Sequence, residues 1–241
     1  SGKTNFKPLY NESNTLEEKI NIIAKEIYGA ANVTFSAKAK SQVKLIQKLG
    51  LYHLPVCMTK TPASFSDNEK KIVVLSALSG TTNALVAISQ AMAEGSKKQA
   101  KQLIEDLEQH YQQFILDLVK TESALTEAKS VIADHFEFLH IILRISFSEA
   151  LNKDILAQGE LLSTKLFCVY LKEAGVQHGY LPALEFMKID SYDEPQIGAI
   201  RVKLNQWLTK SPDIQLFITQ GYISRNARGE VDNLKRGGSD Y

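Results

Sequence analysis

Apolar positions along this chain change spacing, and each change marks an element. Leu16, Ile20, Ile23 and Ile27 share one helical face behind a capping box made by Thr15 and Glu18, and Gly29 closes that helix. Ser36 caps a second helix with Ala39, Val43, Ile46 and Leu49 inside and Gly50 at its end. Leu54-Pro55-Val56-Cys57-Met58 reads as a short buried strand, and the polar stretch 59–68, which contains Pro62, as a loop. Ile72-Val73-Val74-Leu75 is β-branched and uninterrupted, the pattern of a strand buried on both faces. A polar turn over residues 76–83 leads from it into a helix ending near Ala93.

Helical spacing then dominates. Leu103, Leu107, Tyr111, Phe114 and Leu118 predict one long helix, and a second is predicted over about 122–151, the pair serving to pack against each other. Gly159-Glu160 is expected to open the next helix, with Leu162, Leu166, Val169 and Tyr170 inside and Gly175 at its end. Residues 196–208 read as helix, and Ile214-Gln215-Leu216-Phe217-Ile218 as a strand before a turn at Gly221. Strands alternating with helices predict an α/β core. There is no internal repeat and no low-complexity segment.

Composition narrows the class. The chain has 241 residues, 44% hydrophobic and 23% charged, enough apolar material for a buried core. A net charge of +1 gives no footprint for nucleic acid or a membrane surface, and neither partner is expected. No apolar run has the length of a membrane span, and no signal-peptide pattern is seen, so the expected location is the cytoplasm. Cys57 and Cys168 lie far apart and read as buried, reduced thiols. Ser1-Gly2-Lys3-Thr4 matches only the end of a Walker A loop; the earlier glycine and strand are not in the sequence, and it is not counted as one.

Three places could carry chemistry. Arg236 offers a planar fork of donors for carboxylate or phosphate, Gly237 and Gly238 let backbone approach a ligand, Ser239 adds a hydroxyl, and Asp240 can accept from an ammonium or a metal-bound water. The 76–83 turn, with Ser76, Ser79, Gly80, Thr81 and Thr82, sets hydroxyls and backbone N–H groups at a helix start, which suits an anion. Glu160 is the third, placed in a first helical turn where it also suits the helix dipole. Each has a plain alternative: a Gly-Gly surface turn, a capped helix start with spare hydroxyls, and a dipole-complementing glutamate. His135 and His140 are five apart and do not align as i,i+4 metal ligands; no metal site is expected. His53, His110 and His178 are isolated, and no Ser-His-Asp constellation is visible.

Together these stretches resemble the aspartate kinases over residues 69–241. The markers are Val-Val-Leu-Ser-Ala-Leu-Ser-Gly-Thr-Thr-Asn (73–83), Gly-Glu-Leu-Leu-Ser (159–163), Thr-Gln-Gly-Tyr-Ile (219–223) and Arg-Gly-Gly-Ser-Asp-Tyr (236–241), in the family's order and spacing. The long helices between the first two look like the family's insertion. The resemblance implies a three-layer amino-acid-kinase-like (carbamate-kinase-like) α/β core with a long helical insertion, incomplete at both ends. It implies transfer of the γ-phosphoryl group of ATP, with Mg2+, to the β-carboxylate of L-aspartate, a product from which lysine, threonine and methionine are made. Arg236 would hold the substrate α-carboxylate, Glu160 would face its ammonium, and Thr82 and Ser239 would bind its carboxylate end, beside Asp240. Ser76, Ser79, Gly80, Gly237 and Gly238 would shape the phosphate-facing loop. Phosphoryl transfer rests mostly on positioning and charge stabilisation, which this set could supply.

The sequence departs from that family in two ways. Its Lys-Phe-Gly-Gly-Thr-Ser strand, whose lysine stabilises the transferring phosphoryl group, does not stand ahead of the first marker. In its place Asn5-Phe6-Lys7-Pro8-Leu9-Tyr10, Glu18-Lys19-Ile20, Ile27-Tyr28-Gly29-Ala30 and Leu54-Pro55-Val56-Cys57-Met58-Thr59-Lys60-Thr61 resemble formate–tetrahydrofolate ligases over residues 5–67. That family's P-loop and most of its folate site have no counterpart here. The expected organisation is a ligase-like α/β segment over 1–67 and an aspartate-kinase-like portion over 68–241. Three functions follow: an aspartate kinase part, a ligase part, or a non-catalytic chimeric assembly module. Apolar faces at the junction favour a homo-oligomer.

Overall fold

The computed structural model describes residues 70–234, within one compact unit that begins at Lys70. The helices expected behind Thr15 and Ser36, the strand around Val56, and Cys57 lie outside the described residues. So do Arg236, Gly237, Gly238, Ser239 and Asp240.

The elements run β1 (Lys71–Leu75), α1 (Thr81–Ala93), α2 (Lys97–Leu118), α3 (Glu122–Ile142), α4 (Glu149–Glu173), β2 (Gly179–Tyr180), α5 (Ala183–Phe186), α6 (Ile197–Lys210), β3 (Leu216–Gln220), β4 (Ile223–Arg225) and β5 (Val231–Asn233). β1, β3 and β2 form a parallel sheet with β3 in the middle; Lys71 pairs with Leu216 and Leu75 with Gln220. Parallel strands end on one edge, and ligands of open α/β sheets gather there. β4 and β5 make a separate antiparallel hairpin, docked on α4 by the Lys153 to Asp232 ion pair at 2.8 Å. The fold is α/β with a parallel sheet, as the alternation of patterns implies.

Side chains alternate across a strand, so β3 sends Ile218 and Gln220 to one face and Phe217 to the other. On the first face Gln220 reaches Thr164 of α4. Phe217 joins Leu181, Ala183 and Phe186 in a cluster completed by Ile200, Leu204, Trp207 and Leu208 of α6. β1 corrects the sequence expectation. It is a strand, yet Val74 is 42% exposed and only Leu75 is buried. Among the described residues β1 has one neighbouring strand, so an apolar run that reads as fully buried sits at an edge.

The helices α1 to α4 pack around a ring of contacts, each touching the next and α4 returning to α1. On α2 the buried stripe is Ala100, Ile104, Leu107, Tyr111, Ile115 and Leu118. Ile104 and Ile115 thus replace the expected Leu103 and Phe114 as fully buried positions. The period was legible; the exact seam depends on α3, whose Phe136 meets Tyr111 at a ring distance of 6.0 Å. Burying each such side chain contributes about 1.5–3 kcal/mol.

Two helix boundaries differ from expectation. The helix expected over about 122–151 stops at Ile142, and α4 starts at Glu149, where Ser148 accepts from Leu151 N at 3.1 Å. That N-cap satisfies one donor that a free helix start leaves open. Gly159 and Glu160 do not open a helix; they lie in the middle of α4. Glycine stands there for space: a Cβ on Gly159 would lie 2.8 Å from Ala77 Cβ and 3.3 Å from Leu85 Cδ1. The strand expected from Ile214 begins at Leu216 instead, because residues 211–214 form a turn whose carbonyls are used elsewhere. Cys168 is a free, half-buried thiol on α4, and burial pushes its pKa up to about 12. No helix among the described residues is long and apolar enough to cross a membrane.

Candidate functional site

Three segments meet at the carboxyl edge of the sheet: the loop after β1, the middle of α4, and the turn between β3 and β4. Gly159 lets α4 lie against the loop. One residue on, Glu160 is 5% exposed, with the Ala77 backbone N–H and its own placed to favour the charged carboxylate. Ser163, one turn further, lies 2.8 Å from the Ser76 carbonyl and 3.2 Å from that of Glu160; its proton goes to the nearer. Across the edge, Gly221 N donates to Leu75 O at 2.9 Å, tying the end of β3 to the end of β1.

Burial pushes the Glu160 pKa up to about 7, against the lowering effect of the two backbone donors. A buried carboxyl poised near neutrality is an unusual thing to keep in a core, because desolvation penalises its charged form unless a cation or further donors offset it. Below it lies a satisfied scaffold. Gln220 donates to Thr164 Oγ1 (2.7 Å) and to Tyr180 OH (2.9 Å) while its carbonyl accepts from Ala183 N (2.7 Å). Thr164 passes its own proton to Glu160 O at 2.7 Å. Every polar atom of the Gln220 amide has a partner, so α4, β2 and β3 are held at one spacing.

The third wall is strained. Tyr222 has φ of 63°, and Ile223 N closes back on Gly221 O at 2.7 Å around it. A bulky residue in the left-handed region costs on the order of 1–3 kcal/mol and persists where its surroundings hold it. The Tyr222 phenol is half-buried, with its pKa raised first by burial and then by the charge of Glu160, opposed by a hydrogen bond from Asn233. Near this turn the Thr219 hydroxyl and the Asn233 carbonyl oxygen are buried without a hydrogen-bond partner.

The 76–83 loop supplies the mouth. Gly80 occupies the N-cap of α1 at φ 84°, a conformation that favours glycine, and no side chain caps the helix there. Ser76, Ser79, Gly80 and Thr82 are all exposed. Thr81 points inward instead and bonds the buried Tyr111 hydroxyl at 2.8 Å, fixing the loop to α2. The structure therefore brings Glu160 to Ala77 and Ser163 to Ser76, and leaves Ser79, Gly80 and Thr82 on the open side. Sequence reasoning overlooked Ser163 and Gln220 as the fasteners of this site, although both stand inside conspicuous stretches. It also passed over Tyr222, whose only signal is the preceding glycine. His135 is buried on α3, bonded to Gln158 at 2.7 Å, and burial lowers its pKa to about 4. No group of three or more His, Cys, Asp or Glu side chains gathers among the described residues.

Comparison with known proteins gives two likenesses. A family model described as formate–tetrahydrofolate ligase matches residues 1–79, a span that reaches through β1 to Ser79. Lysine-sensitive aspartokinase 3 of Escherichia coli (strain K12) is 30% identical over 179 residues, covering 73% of this chain and 39% of that protein. The crystal structure of E. coli aspartokinase III in complex with aspartate and ADP (R-state) superposes with a TM-score of 0.58 at 28% identity, over 71% of this chain and 38% of that one. The same enzyme in complex with lysine and aspartate (T-state) gives 0.58 at 29% identity, over 70% and 38%. Clostridium acetobutylicum aspartate kinase gives 0.54 at 15% identity, over 83% and 39%, a likeness of fold alone. The chain spans about two fifths of the length of these relatives. In sequence and fold, most of this chain resembles the aspartokinases, while residues 1–79 resemble a formate–tetrahydrofolate ligase.

Proposed function

We propose that this chain carries the aspartate-holding part of an aspartokinase, whose reaction is ATP-dependent phosphorylation of the L-aspartate β-carboxylate. The observation that carries the reading is Glu160: a buried carboxyl at the carboxyl edge of a parallel sheet, its charge disfavoured until an ammonium arrives. The α-ammonium of aspartate is that cation. Thr82 and Ser239 take the carboxylate end of the substrate and Arg236 its α-carboxylate, with Asp240 counted in the same substrate-binding set. Ser76, Ser79, Gly80, Gly237 and Gly238 face the phosphates. The uncapped start of α1 suits phosphate oxygens, since the first N–H groups of a helix lack partners within it.

The neighbour in complex with aspartate and ADP supports both ligands. ATP would bring Mg2+ with its phosphates, a mode that needs few protein carboxylates. The Lys-Phe-Gly-Gly-Thr-Ser motif is absent from the 241 residues, so turnover is not expected from this chain alone. We place the aspartokinase-like portion at 68–241 and the ligase-like segment at 1–67, in a homo-oligomer in the cytoplasm, with no nucleic-acid or membrane partner. A second reading, a ligase part acting in one-carbon chemistry, is favoured by the match over 1–79.

Thermal unfolding with L-aspartate, D-aspartate or tetrahydrofolate separates the readings. L-Aspartate at a hundred times its dissociation constant stabilises a binding fold by ~2.7 kcal/mol, a rise of several degrees in a chain this size. A rise with L-aspartate alone supports the kinase reading. Equal rises with both enantiomers, or none in a cooperatively folding sample, would sink it. A rise with tetrahydrofolate alone turns the assignment to the ligase.

A further inference from the structure

At the opposite edge of the sheet from Glu160, the chain builds a second, differently charged site. The 211–214 turn follows directly on the 14-residue helix α6, with Ile214 N closing onto Ser211 O at 3.3 Å. Its carbonyl oxygens converge. Ser211 O, Pro212 O and Ile214 O lie 2.8, 3.0 and 2.7 Å from one point, which Lys70 Nζ occupies. The Phe217 ring lies on another side of that nitrogen, 5.3 Å from its centroid.

An ammonium has three protons and no acceptor, and here each proton has a carbonyl. The C-terminal end of α6 adds partial negative charge, and an aromatic face attracts a cation at this distance. The contacts on the nitrogen are neutral oxygens. Three neutral oxygens, one for each proton, match a single positive charge, with the Asp213 side chain in the same turn adding negative charge. Its oxygens also leave the sheet: the Ile214 carbonyl faces Lys70, and β3 begins two residues later.

We propose that the 211–214 turn is a monovalent-cation site of the ammonium and potassium class, filled in this chain by the tethered ammonium of Lys70. The tether has a structural use. Lys70 immediately precedes β1, and Lys71 N donates to Gln215 O at 2.7 Å, so the occupied site holds the start of β1 against the approach to β3. Removing the side chain leaves three convergent carbonyls that a soluble cation can fill.

The test is Lys70→Met, which keeps an unbranched stem and removes the charge, made in the full chain. Thermal midpoints are compared in ammonium, potassium, sodium and tetramethylammonium chloride at equal ionic strength. The native chain should give one midpoint in all four. Lys70→Met should fall by about 2–4 °C and recover with rising ammonium or potassium, as ligand linkage requires. Tetramethylammonium, which has no N–H and is too large for the cradle, should restore nothing. A Lys70→Met midpoint that is the same in all four salts would overturn the proposal. Should that variant not fold, nuclear magnetic resonance of native chain with isotope-labelled lysine decides. One lysine ammonium exchanging far more slowly than the rest is expected, and its absence rejects occupancy of the cradle.

Discussion

The middle of α4 and its last turn each hold a glutamate, and the two behave in opposite ways. Glu160 is buried, and lost hydration pushes its pKa up to about 7 against the lowering effect of nearby backbone N–H groups. Glu173 is only partly covered, and its Oε1 accepts from Lys120 N (2.8 Å), Thr121 N (2.6 Å) and Thr121 Oγ1 (2.8 Å). The Thr121 backbone donor holds its carboxyl below the ordinary range, ahead of the opposing cost of burial and with further help from Lys120 and the Thr121 hydroxyl. One helix and one residue type give two outcomes, because donors and water set the charge rather than helix position. Glu173 is a finished anchor that caps α3 from outside. Glu160 differs in that burial outweighs its donors, so its charged form stays disfavoured.

The strongest way to break this contrast is at Gly159. Gly159→Val puts a Cβ 2.8 Å from that of Ala77, and neither can swing away. Overpacking of this kind costs about 1–3 kcal/mol, and the loop that gives Glu160 its N–H partner must move. Denaturant unfolding should show the loss, and any stabilisation by L-aspartate should vanish with it. An unchanged midpoint and an intact ligand response would mean that α4 does not press on the loop.

Next in size is the pH response of Glu160. Between the ordinary glutamate range and about 7 the native chain keeps a proton that the unfolded chain has lost. Stability therefore falls as pH rises through that window and levels above it, by on the order of 1–3 kcal/mol. Glu160→Gln should flatten that slope in thermal scans across the window. If the slope survives the substitution, the proton belongs to another group.

The smallest effect sharpens the other half of the comparison. Thr121→Ala removes the N-cap that accepts from Ala124 N at 3.3 Å and one donor to Glu173, costing about 1 kcal/mol. The pH sign is reversed here. A lowered carboxyl contributes stability that is present above the ordinary glutamate range and lost as pH falls through its folded value. The acid limb of the stability curve should therefore be shallower in Thr121→Ala, with the window near neutrality unchanged; a change near neutrality instead would assign the Glu160 behaviour to α3.

Much of this was readable from residue order. Uninterrupted β-branched residues announced β1, and the helical spacing of Leu107, Tyr111 and Leu118 announced α2, because those periods follow from backbone geometry alone. Glu160 and the 76–83 loop stood out as candidate chemistry for their residue types. Ser148 was a legible helix start that the apolar spacing on either side concealed. The rest depended on what packs where. Spacing could not show that β1 has one neighbouring strand among the described residues with Val74 exposed, or that Ile104 rather than Leu103 is fully buried. Nor could it show that Gly159 is a contact rather than a helix start, since its reason is the Cβ of Ala77, more than eighty residues earlier in the chain. By itself the sequence determined the order, kind and rough extent of the elements, through local sterics and periodicity. Only the tertiary structure decided which carboxylate is left dry, because hydration and donor supply come from segments distant in the chain.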